Sequence, residues 1–239
     1  MTHRLARRAA AEFIGTALLL IAVVGSGVAA QRLSPHDAGL ELLENALATG
    51  AGLLAIILAV GPVSGAHLNP VVSLVDATLG GITRRESGAY VLAQLGGAGT
   101  GVVLANLMFS LPAVSISTRT RSAPGLWLAE VIATFGLLLV IFGIARSGRS
   151  GAAPFAVGAY ITGAYFFTAS TSFANPAVTM ARALSNTFAG IAPASVLPFI
   201  AAQGVGAALA YGAIRLLYPT IAEVSDAIVV PHREETLAS

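Results

Sequence analysis

The sequence predicts an all-α membrane protein: six transmembrane helices plus two re-entrant half-helices in an inverted 3+3 repeat. Three observations carry that reading: an apolar composition, a set of landmarks that recurs in one order, and two short Asn-Pro elements between the long apolar runs. Hydrophobic residues make up 56% of the chain and charged residues 10%, against roughly 45–50% and about 25% in a soluble domain. The mean hydropathy of +0.81 points the same way, so lipid is the expected surroundings. A span needs about 20 apolar residues, and 239 residues leave room for six crossings with short connectors and no separate soluble domain.

Continuous apolar stretches fall at 9–30, 41–60, 88–110, 126–145, 153–171 and 193–217, with two shorter helical pieces near 69–79 and 175–185. The expected organisation is a tail at 1–8, one membrane domain at 9–217 with halves at 9–110 and 126–217, and a tail at 218–239. That second tail is polar around His232, Arg233, Glu234 and Glu235 and reads as disordered. Arg4, Arg7 and Arg8 ahead of an apolar run mimic a signal peptide, but the run carries Glu12 and no small-residue cleavage site follows, so it reads as a retained span. All 13 basic residues are arginines lying between apolar runs, which removes a nucleic-acid reading despite the net charge of +2. An even number of spans puts both ends on one side. Placing that side in the cytoplasm leaves only Arg32, Arg119, Arg121 and Arg182 outside, as the positive-inside rule asks, and a bacterial inner membrane is the expected location. The lack of cysteine excludes disulfides and thiolate metal sites and decides nothing about compartment.

The halves echo each other. Ala11-Glu12-Phe13-Ile14-Gly15-Thr16 is answered by Ala129-Glu130-Val131-Ile132-Ala133-Thr134, Ala93-Gln94-Leu95-Gly96 by Ala202-Gln203-Gly204-Val205, and Asn69-Pro70-Val71-Val72-Ser73 by Asn175-Pro176-Ala177-Val178-Thr179. Two apolar sequences share single landmarks by chance, but not three in one order. Three spans per half make the second half enter from the opposite face, and such inverted repeats place interrupted helices at the midplane, facing the permeant.

Each Asn-Pro motif has the grammar of a helix start, Asn as N-cap and Pro at the first helical position. Both elements are too short to cross. Irregular backbone at membrane depth survives only when packed in protein or lining water, so each preceding segment is expected to re-enter as a loop and leave as a half-helix. Opposed N-termini, each worth roughly half a positive elementary charge, together with the Asn69 and Asn175 amides, would repel cations and receive small neutral hydroxylated solutes. Unrelated turns would explain either motif singly, but not the pair at matching places.

On Ser64-Gly65-Ala66-His67-Leu68-Asn69-Pro70, Asn175-Pro176-Ala177 and Ala11-Glu12-Phe13, the chain resembles the aquaporin or major intrinsic protein family over about residues 9–217. The first box departs from the family in carrying Val71 where Ala is usual, which adds bulk at that level. The resemblance implies that Glu12, Glu130 and His67 support the re-entrant loops, that no cofactor is needed and that the assembly is a homotetramer in lipid. Neither metal ligation by His67, which has no nearby cysteine or carboxylate pair in sequence, nor proton transfer by the glutamates is favoured.

In the family, selectivity rests on four positions near the outer mouth, and counting along the matched motifs puts them at Thr49, Gly163, Ser172 and Val178. The last is usually Arg. Arg182 stands four residues on, about 6 Å along a helix axis. Its counterpart in the first half is Asp76, and both read as half-helix ends near loops or bundle contacts rather than as pore charge. The expected ring therefore has two hydroxyls, no side chain at Gly163, an apolar Val178 and no aromatic. It resembles an aquaglyceroporin-like bacterial member without the filter arginine, which implies passage of glycerol, urea, water and uncharged metalloid hydroxides such as arsenite and antimonite. A secondary active transporter also uses inverted repeats and is the alternative, with only Glu12 and Glu130 as coupling-ion candidates. A membrane enzyme would need a clustered acid, base or nucleophile that the sequence does not offer. Gly96, Gly97, Gly99 and Gly101, with Gly204, Gly206 and Gly212, offer small faces for close packing within or between subunits.

Overall fold

A computed structural model of the protein describes residues 2–218. The described chain is helical, with two half-helices among six longer ones: α1 (Thr2–Leu33), α2 (Ala38–Ser64), the half-helix α3 (Pro70–Leu79), α4 (Arg84–Met108), α5 (Pro124–Arg146), α6 (Ala153–Phe167), the half-helix α7 (Pro176–Ala181) and α8 (Pro193–Leu217). Short 3-10 turns at Ser150–Ala152 and Arg182–Leu184 extend α6 and α7. The polar tail around 232–235 lies outside the described residues. Helix α1 begins at Thr2, inside the segment set apart as a tail from sequence.

Local chemistry accounts for the helix starts. Asp37 Oδ1 accepts the Leu40 N–H at 2.9 Å to cap α2. Thr83 and Glu86 exchange hydrogen bonds as a capping box on α4. Proline opens α3, α5, α7 and α8, where its missing N–H is no loss. The Glu86 carboxylate also pairs with Arg8 at 2.5 Å, and Arg8 donates to the Tyr90 hydroxyl at 2.7 Å, so the capping box ties α4 to the first turns of α1.

Five helices are long and apolar enough to cross a bilayer among the described residues. The sixth, α6, has 15 residues, about 22 Å at 1.5 Å each. The sequence stretch ran on to 171, but Thr171, Ser172 and Ala174 take left-handed conformations (φ 63°, 50° and 47°), which no helix accommodates, and the chain leaves as a loop. Side chains such as Leu92, Leu197 and Phe167 are exposed on the outside of the bundle, as a lipid-facing surface requires.

Packing follows the repeat. Helix α1 lies against α2 and α4, α5 against α6 and α8, and α2 against α6 across the two halves. Small residues make the closest crossings: a Cβ at Gly97 would collide with the Phe13 carbonyl, one at Gly101 with that of Ala17, and one at Gly206 with that of Val131. A Cβ at Gly99, Gly204 or Gly212 would meet nothing within 4 Å. The glycine faces thus divide, one set closing helix pairs inside the subunit and the other turned outward. Gly97→Ala is expected to lower stability by about 1–3 kcal/mol because two backbones must separate, and Gly99→Ala to change it by under about 0.5 kcal/mol. Thermal unfolding in detergent would check this, and equal losses would refute the division.

Candidate functional site

The half-helices meet by their starts. Asn69 and Asn175 are extended N-caps (φ −155° and −157°) whose Oδ1 atoms accept the Val71 N–H (3.1 Å) and the Ala177 and Val178 N–H groups (3.0 and 3.2 Å). Their amide nitrogens cross between the halves: Asn69 Nδ2 donates to the Ala174 carbonyl at 2.7 Å, and Asn175 Nδ2 to the Leu68 carbonyl at 2.8 Å. An amide carries two N–H donors. One is spent on the opposite loop, and the other remains for the cavity that both residues line.

The loops before each Asn are held by a buried carboxylate. Glu12 accepts from Ser64 Oγ (2.6 Å) and the His67 N–H (3.0 Å) on Oε1, and from the Leu68 N–H (2.7 Å) and Gln94 Nε2 (2.8 Å) on Oε2. Glu130 accepts from the Phe173 N–H (2.9 Å) on Oε1, and from the Ala174 N–H (2.9 Å) and Gln203 Nε2 (2.6 Å) on Oε2. Gln94 then reaches Ser73 Oγ at 3.0 Å and Gln203 reaches Thr179 Oγ1 at 2.8 Å, so each Glu-Gln pair continues to a hydroxyl on the half-helix. These bonds hold Ala66 and Leu68 in one loop, and Ser172 and Ala174 in the other, in left-handed conformations that non-glycine residues adopt at a cost of about 1–3 kcal/mol each. The glutamines had shown only as landmarks; that a buried amide must be satisfied in a membrane was the signal for their role.

His67 lines the inner part of the cavity, its Nδ1 3.0 Å from Ser73 Oγ and its Nε2 3.4 Å from Asp76 Oδ2, with the ring edge-on to Tyr90. Asp76, read from sequence as a half-helix end near loops or bundle contacts, is buried beside the loop histidine. No group of three or more metal-ligating side chains occurs among the described residues.

Two chambers run along one path. The inner one, about 50 Å³, includes His67, Asn69 and Asn175, and the outer one, about 40 Å³, includes Thr49, Ser172, Asn175 and Val178. They share Leu19, Leu53, Ile161 and Asn175. Each holds several times the ~10–15 Å³ that one water needs. One wall is apolar, built from i, i+4 stripes: Thr49, Leu53 and Ile57 on α2, and Val157, Ile161 and Tyr165 on α6. The opposite wall carries the loops and the two amides.

The α6 stripe corrects the expected filter. Gly163 lies two residues from both Ile161 and Tyr165, about 200° around the helix; a Cβ built there meets only the Phe167 ring, and the residue does not line the outer chamber. Tyr165 takes the wall instead, 3% exposed, its hydroxyl 3.2 Å from Thr49 Oγ1. Phe173 joins it, so the ring expected to lack aromatics has two. Thr49, Ser172 and Val178 line the outer chamber. Arg182, read from sequence as a half-helix end near loops or bundle contacts rather than as pore charge, also lines this chamber.

Glu130→Gln replaces an acceptor oxygen by an NH₂ that must face a donor. It is expected to destabilise the second loop by about 1–3 kcal/mol and to abolish most pore flux, as is Glu12→Gln. Water permeability at the wild-type level in either variant would refute the bracing role.

Known proteins match this arrangement. The sequence profile of the major intrinsic protein family covers residues 1–172. The chain is 51% identical over 213 residues to the aquaglyceroporin AqpS of Rhizobium meliloti, covering 89% of this chain and 91% of that one. It is 32% identical over 235 residues to the aquaporin AqpM of Methanothermobacter marburgensis, covering 86% and 95%. The fold is similar to that of the aquaglyceroporin from Plasmodium falciparum, with a TM-score of 0.72 at 23% identity over 91% of this chain and 98% of that one. The chain belongs to the major intrinsic protein family, as a multi-pass integral membrane channel and not an enzyme.

Proposed function

We propose that the chain is a passive channel for water and small neutral solutes, namely glycerol, urea and the uncharged metalloid hydroxides arsenite and antimonite. The observation that carries this reading is Val178 in the place directly after Asn175-Pro176-Ala177, on the wall of the outer chamber. At that level the lining combines the hydroxyl-bearing Thr49, Tyr165 and Ser172 and the guanidinium-bearing Arg182 with the apolar Leu19, Leu53 and Ile161. A small neutral solute that carries both carbon–hydrogen surface and hydroxyls is matched by such a mixed lining. The names of similar proteins support glycerol as one such solute. Arsenite and antimonite are uncharged at neutral pH and present the same hydroxyl surface.

A coupled transporter needs an ionisable group free to load and unload. Glu12 and Glu130 each hold two loop N–H groups and a glutamine, which favours channel over carrier. The excess of arginines on the side of both termini supports cytoplasmic ends in a bacterial inner membrane. Family membership supports a homotetramer.

Stopped-flow comparison of water, glycerol, urea and arsenite in proteoliposomes tests the reading. All four are expected above the empty-vesicle rate, and none to accumulate beyond equilibrium under a proton gradient. Val178→Arg is expected to cut glycerol and arsenite flux by about tenfold or more while reducing water flux only about two- to threefold. Arsenite at the empty-vesicle rate beside raised water flux would remove the metalloid assignment.

A further inference from the structure

The filter position usually held by arginine is Val178, yet a guanidinium reaches the same chamber from one turn further along. Arg182 is 2% exposed and lines the outer chamber with Ser172, Asn175 and Val178. Its guanidinium stacks 3.5 Å from the centre of the Phe173 ring, whose neighbourhood also holds Arg121 at 5.1 Å. Its Nε donates to the Ala189 carbonyl. Among the described residues that is its one hydrogen bond, no carboxylate pairs with it, and neither Nη group is an enclosed atom lacking a partner. Arg182 therefore brings to the chamber wall a guanidinium with no carboxylate paired to it among the described residues. A second polar group on the same wall is unpartnered: Ser172 Oγ is buried and has no hydrogen-bond partner among the described residues.

We propose that Arg182 is the specificity-determining cation of this pore, displaced one helical turn from the usual position, and that with Ser172 Oγ it forms the outer subsite for an oxygen-rich neutral solute. The assignment rests on the passive-channel reading above and deepens it. A ring stacked on one face and a carbonyl on Nε leave the guanidinium one orientation. It presents Nη donors to solute hydroxyl oxygens while its charge opposes cations. Val178 keeps the ring at its own level free of that bulk, so exclusion of charge and passage of polyols are assigned to different residues.

The test uses the full chain in proteoliposomes with a trapped pH-sensitive dye and stopped-flow scattering. Wild type that passes neither water nor glycerol ends the channel reading itself and this assignment with it. Arg182→Gln keeps an amide N–H for the Ala189 carbonyl but removes the charge. It is expected to raise proton and sodium leak about tenfold and to lower the glycerol-to-water flux ratio about threefold. Ser172→Ala is expected to lower that ratio without raising the leak. Arg182→Gln that conducts water, with leak and flux ratio both at wild-type values, overturns the assignment and leaves the channel reading standing. If Arg182→Gln conducts no water, Arg182→Lys decides: charge is kept but the planar fork is lost, so a low leak with an altered flux ratio supports the proposal and an unaltered ratio overturns it.

Discussion

Two carboxylates sealed inside a membrane protein hold everything else in position. Glu12 and Glu130 are wholly buried, and between them they accept four backbone N–H groups from the re-entrant loops. In water those donors would be satisfied by solvent. At membrane depth an unsatisfied donor costs several kcal/mol, so the loop conformation is tied to the carboxylate. The left-handed residues Leu68 and Ala174, unfavourable on their own, are the ones whose N–H groups the glutamates take. Their carbonyls in turn receive the Asn175 and Asn69 amides. A chain of consequences thus runs from a buried charge, through strained backbone, to the donors that line the path.

Sequence carried the reading as far as pattern carries. The Asn-Pro grammar located both half-helix starts at Asn69 and Asn175, because N-cap and first-turn chemistry is local. The ordered echo identified the inverted repeat, and the same echo contained Gln94 and Gln203 without disclosing that they link glutamate to half-helix. What sequence did not carry was direction. Gly163 and Tyr165 are two residues apart, and only the phase of α6 against α2, set by the Gly50–Gly158 crossing, decides which of them meets the path. The stripe of Val157, Ile161 and Tyr165, spaced like Thr49, Leu53 and Ile57 on α2, held that phase and could have been read. Arg182 was a matter of reach. A position one turn along the axis looks remote when only the backbone is counted, but an arginine side chain spans that separation, and the Phe173 ring gives it a surface to lie on.

The outer chamber therefore differs from what motif counting implied, being lined by Tyr165, Phe173 and a guanidinium as well as by small and hydroxylated residues. Three of the outer arginines share an arrangement. Arg119 and Arg121 donate to the Phe188 and Gly190 carbonyls and lie beside the Phe188 and Phe173 rings, as Arg182 does with Ala189 and Phe173. Carbonyls and aromatic faces, rather than carboxylates, are the direct partners of these three guanidiniums among the described residues.

The crossed amide bonds between the halves have a consequence for how the molecule is assembled. Leu68 needs Asn175 and Ala174 needs Asn69, so neither re-entrant loop has its full complement of partners until the other has arrived. The first half, inserted alone, carries a loop whose carbonyl and amide face an empty neighbour. Completion of the path and completion of the protein's internal hydrogen bonding are the same event. A chain interrupted before Asn175 lacks the second half-helix and leaves the Leu68 carbonyl without the amide that it meets in the complete protein.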